Sequence, residues 1–145
     1  MSIILDPALR AWEATVPKGM SEDLIWKFHT YRVALYLAHL VRDDLRRAKP
    51  GAGWGSVSDQ LLRSVTSIGA NIAEGYGRSR PADRARFYDV AFGSLRETTS
   101  WYDAARIHLP PDVVDQRIDQ LAELRRMLWG AIRALRRHPS ESRIA

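Results

Sequence analysis

The chain has 145 residues, 46% of them hydrophobic and 27% charged, with no cysteine and a net charge of +5. That length and balance describe one globular domain able to bury a core, and they exclude a disulfide framework or a thiolate metal site. The basic balance permits a polyanionic partner without requiring one.

Residues 1–20 read as a leader. Its apolar run, Ile3, Ile4 and Leu5, stops at Asp6 and Pro7. That is too short for a signal peptide or a membrane span, so a cytoplasmic protein with no membrane partner is expected. Pro7 and Pro17 bracket one short helix, around Ala8 to Thr15. Its large apolar groups are Leu9, Trp12 and Val16, so it must dock to stay ordered. Pro17, Lys18 and Gly19 read as a linker.

The first long helix is expected from about Asp23 to Arg47, with Ser21 as its cap. Leu24, Phe28, Tyr31, Leu35 and Ala38 alternate at spacings of four and three, a helix-packing seam. Val33, Tyr36, Leu37, Leu40 and Val41 form a second apolar set facing elsewhere. A helix apolar on two sides is covered on two sides, either by other subunits or by the leader. The glycine-rich segment 48–55 is a loop, with Trp54 as a plug on the bundle end.

The second helix organises the chain. Leu61, Val65, Ile68 and Ile72 share one face. Ser56 and Asp59 resemble a capping box at its start. Gly75 and Gly77 are expected to end it through the left-handed region. Ser64, Ser67, Gly69, Ala70 and Ala73 are small and admit close neighbours. Asn71 and Glu74 are polar groups near the end, expected to tie down the turn through hydrogen bonds to backbone or to Arg78.

A short turn then leads into a third helix, from Pro81 or Ala82 to about His108, antiparallel to the second. Phe87, Val90, Ala91, Ser94, Leu95, Thr98, Trp101, Tyr102 and Ala105 carry its packing side. Gly93 and Ser94 sit mid-helix, where glycine costs about 1 kcal/mol relative to alanine. A close backbone crossing with the second helix would justify that cost. The fourth helix runs from about Asp112 to Arg137. Val114, Ile118, Leu121, Leu124, Leu128, Ile132 and Leu135 are its core stripe, and Pro139 is its stop. The expected organisation is a leader at 1–20, an all-α, antiparallel up-down four-helix bundle at 21–138, and a flexible tail at 139–145.

Two blocks carry a resemblance: SIGANIAEGYGRS in the second helix and FYDVAFGSLRE in the third. Gln60, Arg63, Ser67, Ile68, Asn71, Ile72, Ala73, Glu74, Gly75, Gly77 and Arg78 belong to the first. Ala91, Gly93, Ser94, Leu95 and Glu97 belong to the second. Across roughly Asp23 to Arg136 the chain resembles the bacterial four-helix-bundle family of 23S rRNA intervening-sequence proteins. That family is similar to the accessory subunit of diversity-generating retroelement reverse transcriptases. The resemblance implies the fold, a homo-oligomer of pentameric type, nucleic-acid binding, and a protein partner such as a reverse transcriptase. It supplies no catalytic residue. The loop at 48–55 departs from the Pro-x-x-Glu turn found in many relatives.

Catalytic and metal motifs are missing from the sequence. No Glu-x-x-His pair of a di-iron bundle occurs, and His29, His39, His108 and His138 share no ligand spacing. Neither a phosphate-binding Walker loop nor a nucleophile elbow is present. A non-enzyme without cofactor or metal is therefore expected. Two basic constellations remain. Arg78, Arg80, Arg84 and Arg86 surround the start of the third helix, where the dipole prefers anions. They either pair with Asp83 and Glu74 or help hold a phosphate. On the fourth helix, Arg126, Trp129, Arg133 and Arg136 fall on one flank, followed by Arg137. Such a flank can neutralise phosphates and stack bases. Equally, Trp129 can be a subunit contact with arginines snorkelling around it, and arginines near a helix C-terminus favour the dipole. The leading function is an oligomeric module that binds RNA or DNA; the alternative is a protein scaffold whose arginines meet acidic proteins.

Overall fold

The computed structural model describes residues 1–137, and its regular structure is helical throughout. His138, the Pro139 stop and the expected tail lie outside the described residues. Two short helices, α1 (Pro7–Glu13) and α2 (Lys18–Ser21), precede four long ones. These are α3 (His29–Arg47), α4 (Trp54–Tyr76), α5 (Pro81–Ala104) and α6 (Pro111–Arg137). Single 3-10 turns stand at Ile3–Leu5, Leu24–Lys27 and Ala105–Ile107. Consecutive long helices pack on one another, and α3 also meets α6, which closes a ring of four around one core.

The α6 stripe is where its periodicity put it. Val114, Leu121, Leu124, Leu128, Ile132 and Leu135 are buried, with Ile118 half-buried. They meet Leu61, Val65, Ile68 and Ile72 of α4 and Ala91 and Leu95 of α5 in the same cluster. Each buried Leu or Ile contributes about 1.5–3 kcal/mol relative to exposure.

The first long helix differs from its expected course. The segment before it is a separate 3-10 turn, capped by Asp23, whose Oδ1 accepts from the Ile25 N–H at 3.0 Å. Phe28 is extended and resets the chain before α3. Leu24 and Phe28 therefore fall outside the helical register, and Leu24 is 65% exposed. The core face of α3 is Val33, Ala34, Leu37, Ala38 and Val41. Ser21 is not a cap; it ends α2, in the segment expected to be a linker.

The leader covers the second apolar side of α3. Leu9 is buried, and Trp12 lies 5.4 Å from Tyr36 and 6.1 Å from Trp26, ring to ring. Glu13 pairs with Arg32 at 2.7 Å. Further back, Ser2 Oγ and the Ile3 N–H donate to the two oxygens of Glu123 on α6, at 2.6 and 3.1 Å. The leader thus covers the Tyr36 side of α3, while Tyr31 and Leu35 of the expected seam stay half-buried along an open cleft shared with Trp12, Val16 and Met20.

Helix α4 starts two residues before the expected cap. Gly53, the one positive-φ residue described (φ 79°), turns the chain into the helix, and no side chain caps it. Ser56 and Asp59 consequently lie inside α4 and form no capping box. At the other end, Gly77 has an ordinary right-handed φ of −73°, so the helix stops without a left-handed residue. Gly75 serves another purpose. A Cβ there would stand 2.9 Å from both Phe87 Cβ and Tyr88 Cε1 and 3.0 Å from the Arg84 carbonyl. The close crossing of α4 and α5 is made there and not at Gly93, whose missing Cβ would meet nothing within 4 Å. Val90, expected on the packing side, is 49% exposed. Trp54 does plug the bundle end, its ring 4.7 Å from that of His108.

Candidate nucleic-acid interface

The turn from α4 to α5 gathers the first set of arginines. Arg78 pairs with Glu74 one helical turn back, and its guanidinium also lies 4.8 Å over the Phe87 ring. Arg84 reaches back across the turn. Its Nη2 donates to the Tyr76 carbonyl at 3.2 Å and the Arg78 carbonyl at 3.1 Å, satisfying acceptors left over at the end of α4. Arg80 is loosely placed, 3.9 Å from Asp83 and 81% exposed. Arg86 is exposed as well. Two of these arginines thus have local structural work, and Arg80 and Arg86 are presented to solvent.

Asn71 does not reach the turn. Its Nδ2 donates to the Ser67 carbonyl at 2.9 Å and to Ser67 Oγ at 3.0 Å. Ser67 Oγ in turn lies 2.9 Å from Ser94 Oγ on α5. This polar relay couples α4 to α5 at mid-height, and Ser94 finds its role there, next to the unoccupied Gly93 surface. Of the pair Asn71 and Glu74, only Glu74 holds Arg78.

The second set lies along α6. Arg126, Trp129, Arg133 and Arg136 are all exposed on the expected flank, Trp129 at 45%. Arg136 pairs with Asp89 of α5. Among the described residues, no carboxylate lies within ion-pair distance of Arg125, Arg126 or Arg133. Between α5 and α6 the surface opens into a groove of about 290 Å³, lined by Phe92, Arg96, Arg125, Arg126 and Trp129. Three of these were not among the expected site residues. Phe92 and Arg96 precede and follow the small pair Gly93-Ser94, and their four-residue spacing places them on one face of α5. Arg125 neighbours Arg126 in sequence.

A buried polar cluster also lay beyond the sequence reading. Asp44 is 2% exposed and accepts from Tyr102 Oη at 2.7 Å. Arg117 grips the same carboxylate through Nε at 2.8 Å and Nη2 at 3.0 Å, and donates through Nη1 to Gln120 Oε1 at 3.1 Å. Burial pushes the Tyr102 phenol well above its ordinary pKa, and the Asp44 charge beside it adds to the rise. Burial opposes the Arg117 charge, yet its hydrogen bonds and attraction to Asp44 prevail and raise its pKa. The signal was present: Arg117 and Gln120 interrupt the apolar α6 stripe at core spacing, and Asp44 follows Leu37 and Val41 on α3. The cluster is an internal brace between α3, α5 and α6.

The remaining chemistry is sparse. His108 Nδ1 lies 3.0 Å from the Lys49 carbonyl, and His39 Nε2 is 3.8 Å from Asp43. Among the described residues, no group of three His, Asp or Glu side chains converges to hold a metal, and no helix is long and apolar enough to cross a membrane.

The profile of the 23S rRNA-intervening sequence protein family matches residues 28–130. No curated protein matches the chain. Among solved structures, the chain is similar to a protein of unknown function from the S23 ribosomal protein family of Bacteroides thetaiotaomicron. The two are 23% identical over 71% of this chain and 97% of that one, with a TM-score of 0.62. At that identity the likeness speaks to the fold alone. The span matched by the family profile includes Trp129 and leaves out the leader, Arg133 and Arg136.

Proposed function

The chain belongs to the 23S rRNA-intervening sequence protein family, and from that premise we propose that it is a non-enzymatic, homo-oligomeric module of the cytoplasm that binds RNA or DNA through arginine-rich surfaces. One observation carries the reading. Arg126 and Arg133 stand on either side of the exposed Trp129 with no carboxylate near them among the described residues. Several other surface arginines are neutralised locally: Arg46 by Asp43, Arg78 by Glu74, and Arg106 by Asp103 and Asp115. Unneutralised guanidinium groups in a row suit a chain of phosphates, whose counterions they release. Assembly as a pentamer would repeat the flank five times and convert weak sites into avidity. The family name makes RNA the first nucleic acid to try. An accessory role beside a nucleic-acid enzyme, a reverse transcriptase for example, fits a binding module with no chemistry of its own.

A second reading has its own support. Trp129 and Phe92 form an apolar surface beside the arginines, and tryptophan with arginine also anchors protein interfaces. In that case the protein is a scaffold for an acidic protein partner. Fluorescence anisotropy with a short structured RNA and a single-stranded DNA, at several salt concentrations and on material of known oligomeric mass, separates the two. Nucleic-acid binding predicts affinity that falls linearly on a log–log salt plot. No binding to either probe at low salt would sink the nucleic-acid role of the protein alone and leave the scaffold.

A further inference from the structure

We propose that the groove between α5 and α6 seats an unpaired base on the face of Trp129, which makes single-stranded nucleic acid the preferred ligand. The inference rests on the nucleic-acid reading above and narrows its ligand class.

Trp129 is unlike the other four tryptophans of the chain, which are half-buried, because it is 45% exposed. An indole left open costs hydration free energy unless something covers it. Its neighbour Phe92 is 6.1 Å away and tilted by 56°, so the two rings cannot sandwich a base between parallel faces. Phe92 is also occupied: the Arg96 guanidinium sits 4.8 Å over its ring. Trp129 is therefore the open aromatic face in the groove, with Phe92 and Arg96 as a fixed side wall. Arg125 and Arg126 line the same groove, with no carboxylate within ion-pair distance among the described residues. The arrangement is one stacking platform with guanidinium groups within reach of the adjoining phosphates.

A duplex can offer that platform only its two end base pairs. Elsewhere it keeps its base faces stacked internally and shows only phosphates and groove edges. A single strand offers every base face, and stacking on an aromatic ring tolerates any sequence. An acidic peptide would satisfy the arginines but offers few flat faces to stack on the ring, whereas every base of a strand is one, so complementarity favours the single strand.

The test uses the full chain, an unstructured oligo(dT) strand and a blunt-ended duplex of equal length, titrated by anisotropy at several salt concentrations. The strand is expected to bind more tightly than the duplex. Trp129→Ala should weaken strand binding by roughly tenfold while leaving duplex binding and the salt slope in place. Tryptophan emission should be quenched by the strand, and Trp129→Phe should remove the quenching while keeping most of the affinity. Because Trp129 lies on the surface and outside the buried core, both variants should fold, which a melting curve checks. Should Trp129→Ala fail that check, the quenching comparison with Trp129→Phe decides alone. Equal or tighter duplex binding with an intact salt slope overturns the base seat and leaves the nucleic-acid reading standing. Quenching that persists in Trp129→Phe, or a change of oligomeric mass in Trp129→Ala, also overturns it, the latter by making Trp129 a subunit contact. Failure of both probes to bind at low salt overturns the base seat, and failure of the structured RNA as well overturns the nucleic-acid reading.

Discussion

The Tyr102 hydroxyl donates to Asp44 Oδ2 at 2.7 Å, joining α5 to α3 across 58 positions of sequence. Arg117 holds both oxygens of the same carboxylate from α6, so three of the four long helices meet at one buried charge pair. Removing one partner of such a pair is costly because the other charge stays behind. Asp44→Ala should destabilise by about 3–5 kcal/mol, since Arg117 would then be buried without a carboxylate. Tyr102→Phe leaves the ion pair whole and should cost less, about 1.5–3 kcal/mol, the worth of one hydrogen bond to a charged group. Urea unfolding of the two variants checks the order. Equal losses would mean that the charge pair does not brace the core.

Gly75 and Gly93 should respond in opposite ways to alanine. At Gly75 the added methyl would meet Phe87 Cβ at 2.9 Å and the Arg84 carbonyl at 3.0 Å, and neither is the free end of a flexible chain. Helices α4 and α5 would have to move apart, at about 1–3 kcal/mol. At Gly93 the methyl enters open space, and the better helix propensity of alanine should add about 1 kcal/mol. Thermal melts of both variants settle the matter. A loss at Gly93 would imply that another copy of the chain lies against it.

The contrast between these glycines shows what periodicity can and cannot reveal. The α6 stripe and the α4 face were legible because an apolar group every three or four residues has only one place to go, the core. Which glycine permits a close crossing was not legible. The answer depends on where α5 starts along α4, a tertiary register that neither helix states by itself. The same limit explains α3. Its two apolar faces were plain, but the extended Phe28 that removes Leu24 from the seam is one residue's backbone choice. Likewise the arginine flank of α6 was read correctly as a flank, while the groove needed Phe92 and Arg96 from another helix. Arg117 was the missed clue: a charge inside an apolar stripe asks for a buried partner, and Asp44 sat at core spacing on α3.

Alkaline pH should unfold the protein earlier than a chain of ordinary tyrosines. Tyr88 is 1% exposed, and burial pushes its phenol from 10.0 to about 12, with the Arg84 charge opposing part of the rise. Below pH 10 both folded and unfolded chains keep the proton, and the full stability is present. As pH climbs from 10 towards 12 the unfolded chain loses it first, so unfolding gains about 2 kcal/mol from this site by pH 12. Tyr88 Oη has no hydrogen-bond partner among the described residues. Tyr88→Phe should therefore be nearly neutral at pH 7 and flatten the decline above pH 10. Melting temperatures taken from pH 7 to 11.5 test this. Parallel curves for the two proteins would refute it.

The arginines of α6 should not weigh equally in nucleic-acid binding, although their spacing makes them look alike. Arg136 already pairs with Asp89, whereas Arg133 has no carboxylate near it among the described residues. A phosphate contact from Arg136 must first break that pair, or share it, while one from Arg133 gains its full counterion release. Arg133→Gln and Arg126→Gln should each reduce the log–log salt slope on a single strand by about 0.7, the signature of one lost phosphate contact. Arg136→Gln should change it less. It also leaves Asp89 as an unopposed negative charge near the flank, so its affinity should fall more than its slope. Asp89→Asn supplies the counter-experiment: freeing Arg136 should raise both the affinity and the slope. Should Arg136→Gln lower the slope as much as Arg133→Gln, the pairing with Asp89 gives way on binding, and the interface extends from α6 onto α5.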